Sequence, residues 1–318
     1  MMQFDRITLG RQAKELGFVR DTFEKVCRLA DVLAFMESDA LLSGSLALKG
    51  GTAINLTIFD FPRLSVDIDM DFSNNVPRET MLQEREQIND HIGKYMTASG
   101  YTLSPKSKQY HALDSFVYEY VNAGGMRDNL KIEINYMLRY HVFPVSRRSV
   151  VLPWLDRKLT VLSVNPMEIF SAKAVALLNR AAARDLYDIF NLQKAGLFEE
   201  SEEGLFKKCI MFYSAIASEN APEHFDFGNI GKISAQKIRT DLMPVLRRAE
   251  RFDLPMAQTQ VDAYLKRVLL PENDLSFWKA FAKGEYKPEL LFDNAEILSR
   301  IDRHPMAIWK CSKKTGGA

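Results

Sequence analysis

The stretch RLSVDIDMDF, residues 63–72, alternates apolar and acidic side chains with a period of two. Only a β-strand keeps that period in register, sending Val66, Ile68, Met70 and Phe72 to one face and Asp67, Asp69 and Asp71 to the other. Carboxylates two residues apart on a strand repel one another unless a positive charge sits between them. A divalent cation is the natural partner, and hard oxygen donors of this kind suit magnesium with substrate phosphates completing its shell. Just upstream, SLALKGG is a short apolar run stopped by Gly50 and Gly51, with Thr52 placed to cap a helix through AINLTIF. Glycine backbone can approach a phosphate closely and offers free N–H groups where a helix begins. Strand, glycine turn, helix and acidic strand together describe a metal-assisted phosphate site. Taken singly, each part is also an ordinary solvated strand edge or a capping turn.

Other phosphate and metal motifs do not fit. GGT is neither GxxxxGK[ST] nor GxGxxG, and a calcium loop beginning at Asp67 would need glycine where Phe72 stands and glutamate where Arg78 stands. His111, His141 and His304 are isolated and lack ligand spacing.

Around this segment the pattern is that of an α+β protein, a mixed sheet flanked by helices and followed by a helical part. Residues 20–42 carry apolar side chains at three- and four-residue steps, and residues 77–98 form a second helix opened by Pro77 with Glu79 in its first turn. YTLSP, QYHALDSFVYEYV and NLKIEINYML add strands, with NAGGMRDN as a turn and Phe116, Tyr118 and Tyr120 on a core face. The alanine- and leucine-rich segment from Asn165 to Gly196 is helical, as is most of the chain beyond it. A division at 165 results: a sheet domain with an N-terminal helix over 1–165, and a helical domain over 166–318.

Forty-two basic against 41 acidic side chains give a net charge of +1, so no global field points to nucleic acid or excludes it. Cys27, Cys209 and Cys311 lack CxxC spacing and read as ordinary thiols of a reducing, cytoplasmic setting. No apolar run reaches membrane-spanning length, so no membrane partner is expected.

The order strand, GG turn, helix, strand with alternating Asp resembles the active-site unit of the DNA polymerase β-type nucleotidyltransferase superfamily. More specifically LKGGTAINL, RLSVDIDM and SAKAVALLNRAAARDLYDIFNL, with the closing YKPELLFDNAEILSRIDRHPMAIWK, resemble the AbiEii/AbiGii nucleotidyltransferase toxin family, which includes MenT-like toxins of type IV toxin–antitoxin systems. The resemblance covers roughly residues 40–310. The fifteen residues 52–66 between Gly51 and Asp67 exceed the generic superfamily gap.

This resemblance implies a nucleotidyltransferase-like sheet, an NTP substrate held at Gly50, Gly51 and Thr52, and magnesium at Asp67 and Asp69. It implies catalytic importance for Ser65, Asp67, Lys173 and an aspartate of RDLYD, either Asp185 or Asp188, with Lys173 and Asp185 brought to the cleft by the helical domain. A third superfamily carboxylate, metal ligand or base, is assigned to Glu133 in LKIEINY, with Asp71 as the local competitor. The implied reaction moves a nucleotide to an acceptor, here the 3′ end of tRNA, which blocks translation and arrests growth in toxin–antitoxin or phage-defence settings. A separately encoded antitoxin, a winged-helix repressor not held in a tight complex, is the implied partner. Alternative readings are nucleotidylation of a protein or small molecule, and a catalytically silent nucleotide-binding regulator.

On one continuous helix Arg180 and Arg184 would lie about 20° to either side of Lys173, a basic stripe suited to a triphosphate. Asp185 would then point about 120° away. That conflict predicts a break around residues 180–184, with ARDLYDIF starting a new helix.

Overall fold

Strands β1 (Leu46–Lys49), β2 (Asp67–Phe72), β3 (Thr102–Leu103), β4 (Lys108–Gln109), β5 (Leu113–Val121), β6 (Arg127–Asn135), β7 (Ser146–Val150) and β8 (Leu159–Ser163) build one sheet. The computed structural model describes residues 4–154, 158–218, 220–271 and 274–315. Strand order is β3-β5-β6-β2-β1-β8-β7, with β4 also paired to β5. The sheet is mixed: β2 runs parallel to β6 and antiparallel to β1, while β1 runs parallel to β8. Parallel register sets Asp67 beside Lys131, Asp69 beside Glu133 and Asp71 beside Asn135.

The helices of this sheet unit are α1 (Arg6–Leu16), α2 (Arg20–Ser38), α3 (Ala40–Ser45), the short α4 (Gly50–Ala53) and α5 (Arg78–Ala98). Ile68, Met70 and Phe72 are buried, and Met70 lies among Leu33 and Met36 of α2. Phe35 of α2 stacks on Tyr95 of α5 with 3.8 Å between ring centroids. Phe116, Tyr118 and Tyr120 are buried as the strand pattern indicates. The helix expected over 20–42 instead stops at Ser38. Asp39 turns extended, and its carboxylate accepts the amides of Leu41 and Leu42 to start α3 afresh.

The chain divides into two compact units that do not follow a single cut. The sheet unit comprises Met1–Arg139, Val145–Val164 and Met243–Glu250; the other comprises Tyr140–Pro144, Asn165–Leu242 and Arg251–Ala318. Residues 243–250 join the sheet unit because the Leu64 amide donates to the Val245 carbonyl at 2.8 Å and Arg63 bridges Leu246.

Among its described residues the second unit contains helices and no strand of the sheet, and is built on α6 (Pro166–Asn179), α7 (Ala183–Ala195) and α8 (Glu200–Ala217), with Leu254–Leu269 and Pro305–Thr315 among the later helices. Residues 140–144 belong to it through Glu168. This carboxylate, 1% exposed, accepts the amides of Val142 at 2.9 Å and Phe143 at 3.0 Å and also the Tyr213 hydroxyl. Glu168→Ala would leave three buried donors without this acceptor, and the expected cost is about 3 kcal/mol, read as a lowered urea midpoint. A midpoint equal to wild type would show that water takes over the carboxylate's work. No helix among the described residues is long and apolar enough to cross a membrane.

Candidate active site

Where β1 ends at Lys49, the chain must turn sharply enough to bring a helix back against β2. Gly50 does this with φ of 66°, a left-handed conformation that disfavours any side chain. Space forbids one as well. A Cβ on Gly50 would stand 2.5 Å from Asp69 Oδ2, and one on Gly51 would stand 2.7 Å from Arg63 Nη2 and 3.0 Å from Ser65 Oγ. The glycine turn thus lies directly against the Asp69 carboxylate and the Ser65 hydroxyl.

Gly50→Ala combines backbone strain of about 1–2 kcal/mol with displacement of Asp69. The expected result is a lower melting temperature together with a roughly hundredfold drop in transfer activity. Retained activity at a reduced melting temperature would separate the turn from catalysis.

Thr52 does not cap the helix. Lys49 is the N-cap residue and makes no side-chain cap bond, while Thr52 lies inside α4, fully buried. Its hydroxyl donates to the Asp67 main-chain carbonyl and stands 3.0 Å from Ser65 Oγ, tying the turn to the start of β2. Nor is AINLTIF an α-helical continuation. After Ala53 the helix widens into a π turn over Ile54–Ile58, with the Phe59 amide reaching the Ile54 carbonyl at 2.9 Å.

The long connection to β2 is closed by two residues that local pattern does not flag. Asn55, fully buried, donates to the Gly51 carbonyl at 2.7 Å, and its side-chain oxygen accepts the Arg63 amide at 3.2 Å. Arg63 is 1% exposed, and its guanidinium reaches the Leu64 carbonyl at 3.0 Å and packs beneath Gly51. An arginine before a strand ordinarily reads as surface charge, so only its neighbours in space reveal its place under the turn.

The three aspartates share a face but not an environment. Asp67 and Asp69 are half-buried, whereas Asp71 is 3% exposed and ion-paired to Lys49. Glu133 lies beside Asp69 across β2 and β6, and it pairs with Lys131 at 3.0 Å. Burial works against the Lys131 charge. The hydrogen bond to Glu133 and the fields of Glu133, Asp67 and Asp69 nevertheless hold its ammonium above the ordinary lysine value.

Among the described residues no three His, Cys, Asp or Glu side chains form a ready metal cage. The donor chemistry does fit a hard divalent ion: two half-buried carboxylates on one strand and a third in the adjacent register position.

In the helical unit the break falls where the geometric conflict places it. α6 ends at Asn179, Arg180 is extended at φ −145°, and α7 begins at Ala183. The stripe of Lys173, Arg180 and Arg184 along one helix therefore does not form. Arg184 donates to the Asp241 carbonyl at 2.8 Å, and Arg180 turns its Nε and Nη2 to Asp185 Oδ2 at 3.0 and 2.9 Å.

The break brings Asp185 to Lys173. Lys173 Nζ lies 2.8 Å from Asp185 Oδ1 and 3.2 Å from Asp188 Oδ2, and both carboxylates are 1% exposed. Burial pushes the Asp185 carboxyl up, but the charges and hydrogen bonds of Lys173 and Arg180 prevail and hold it below the usual carboxylate range. Both aspartates of RDLYD thus meet the lysine.

A mixed sheet that sets a glycine turn against a strand aspartate is in keeping with the nucleotidyltransferase class, and the family match shows that class. The model of the nucleotidyl transferase AbiEii toxin family, of type IV toxin–antitoxin systems, matches residues 33–283, and the chain belongs to that family. Its fold is similar to that of MenT4, a nucleotidyltransferase toxin from Mycobacterium tuberculosis H37Rv. The TM-score is 0.59 at 17% identity, covering 97% of this chain and 98% of that one. No curated protein matches the chain in sequence. Family membership makes the chain a toxin nucleotidyltransferase with a nucleotide substrate and a separate antitoxin.

Proposed function

We propose that the chain transfers a nucleotide from an NTP to the 3′ end of tRNA, blocking translation and arresting growth. One observation carries the reading furthest: the Gly50 backbone lies against Asp69, so that the group suited to phosphate and the group suited to metal meet at one place. In this reading Gly50 and Gly51 receive the triphosphate with Thr52 bracing the turn, and Ser65 offers its hydroxyl to a phosphate oxygen.

Asp67 and Asp69 hold magnesium, which when bound offsets the charge building on the α-phosphate and the departing pyrophosphate. The acceptor hydroxyl forms a new P–O bond at the α-phosphorus as the bond to pyrophosphate breaks, and its proton passes to a carboxylate or to water. Glu133, beside Asp69, is the third carboxylate in this reading, because Asp71 is buried against Lys49. The reading assigns Lys173 to the nucleotide's phosphates, with Asp185 and Asp188 fixing its ammonium. Arg180, bound to Asp185, supports this network, while Arg184 donates to the Asp241 carbonyl outside it.

The test incubates the protein with each labelled NTP, magnesium and either purified tRNA or a protein extract. Label in tRNA supports the proposal. Label only in protein moves the acceptor, and label in neither fraction overturns it. Expression should arrest growth, and Asp67→Ala should relieve the arrest. The antitoxin is a winged-helix repressor encoded apart, and co-expression should restore growth without a stable complex forming.

A further inference from the structure

The acidic face of β2 and β6 contains its own cation. Asp67, Asp69 and Glu133 occupy neighbouring positions on one face, an arrangement that repulsion would splay apart without a counter-charge. Lys49 of β1 stands beside Asp69 in the antiparallel register and is ion-paired to Asp71. Lys131 is a second basic residue of this face: it neighbours Asp67 in the parallel register and reaches Glu133 on its own strand at 3.0 Å.

We propose that Lys131 is a resident counter-cation of this acidic face, holding Glu133 until a divalent cation displaces it, and so sets how tightly the face binds metal. The inference rests on the reading that Asp67 and Asp69 hold the metal. Three observations support the exchange. The lysine and glutamate side chains are 37% and 28% exposed, so water and an ion can reach the pair. Exposed pairs of this kind are worth little in stability, about 0–1 kcal/mol, and separate readily. Finally, Lys131 stands beside Asp67 and Glu133 beside Asp69 in the parallel register of β2 with β6, so the lysine and the contested carboxylate both adjoin the strand aspartates.

A lysine and a divalent ion competing for one carboxylate make an antagonistic pair. Removing the lysine charge should strengthen metal binding, and removing the contested carboxylate should cancel that gain.

The experiment measures Mn2+ binding to the full-length protein without nucleotide, by electron paramagnetic resonance of the free ion. The forms compared are wild type, Lys131→Met, Lys131→Gln, Glu133→Gln, Lys131→Met with Glu133→Gln, and Asp67→Asn, with melting curves as a check on folding. The expected result is Mn2+ binding about tenfold tighter in both Lys131 variants, with most of the gain lost in the double variant. Unchanged or weaker Mn2+ binding in the Lys131 variants overturns the proposal, including the outcome in which only NTP binding weakens and Lys131 is a phosphate ligand. Undiminished binding in Asp67→Asn instead overturns the underlying assignment of the metal to the strand aspartates, a result the Lys131 variants alone do not produce.

Discussion

Asp67→Asn is expected to lower nucleotide transfer roughly a thousandfold while leaving the melting temperature unchanged. The two halves of this expectation come from different atoms of one residue. Asp67 ties the glycine turn to β2 through its main-chain carbonyl, which accepts the Thr52 hydroxyl. The substitution leaves that bond in place. Its side chain is half-buried on the acidic face, where removing one negative charge relieves repulsion from Asp69. What asparagine removes is half of the anionic pair that would hold magnesium against the triphosphate. Initial rates across a magnesium titration check the assignment: the variant should need more metal as well as turning over slowly. A variant retaining a tenth of wild-type activity would remove Asp67 from the chemistry.

Lys173→Met should lower stability substantially, because it takes a charge partner from two buried carboxylates at once. Breaking a buried pair typically costs about 3–5 kcal/mol, and here Arg180 remains for Asp185 and limits the loss to the lower end. The pH dependence gives the sharper check. In the wild type the Asp185 carboxyl lies below its ordinary value of 3.8, so its contribution is complete above that pH and disappears as pH falls through the lower native value. In the variant, burial of Asp185 is no longer answered by the lysine. The deficit relative to wild type should therefore be greatest near neutrality and shrink as the medium is acidified and the carboxyl takes up a proton. Urea midpoints at a series of pH values would show it. A deficit that grew toward acid would mean that Lys173 supports the fold by some other route. Transfer activity should fall with this substitution as well, since the proposed phosphate contact goes with it.

The parts of this molecule legible in its sequence are those encoded by short-range periodicity. Alternation from Asp67 to Phe72 specifies both faces of β2, since a strand has no other way to place those residues, although Val66 falls just before the strand begins. The break between α6 and α7 is legible for a different reason: a continuous helix would point Lys173 and Asp185 apart, and the conflict itself locates the interruption. Features that depend on distant partners are not legible. Asn55, Arg63 and Glu168 look like ordinary polar residues until their hydrogen-bond partners are known. Asp39 ends a helix that apolar spacing alone continues to residue 42, because a single capping carboxylate outweighs periodicity at that point. Thr52 has the position of a cap after two glycines, whereas the structure uses its hydroxyl across to β2. The Lys131–Glu133 pair is visible as two charges on one strand, but its place beside Asp67 and Asp69 requires the parallel pairing of β2 with β6.

The segment that rejoins the sheet unit has a consequence for how this toxin matures. The approach to β2 passes through Arg63 and Leu64, and both are paired with residues 245 and 246, beyond α8 in the chain. During synthesis that pairing cannot form until position 246 has left the ribosome, well after both strands that flank β2 have been made. A chain interrupted before that point lacks the contacts that hold Arg63 and Leu64, although β1 and β6 still flank the strand bearing Asp67. The order of the chain thus leaves the entry to the acidic face to be tied down only after the face itself has been laid out.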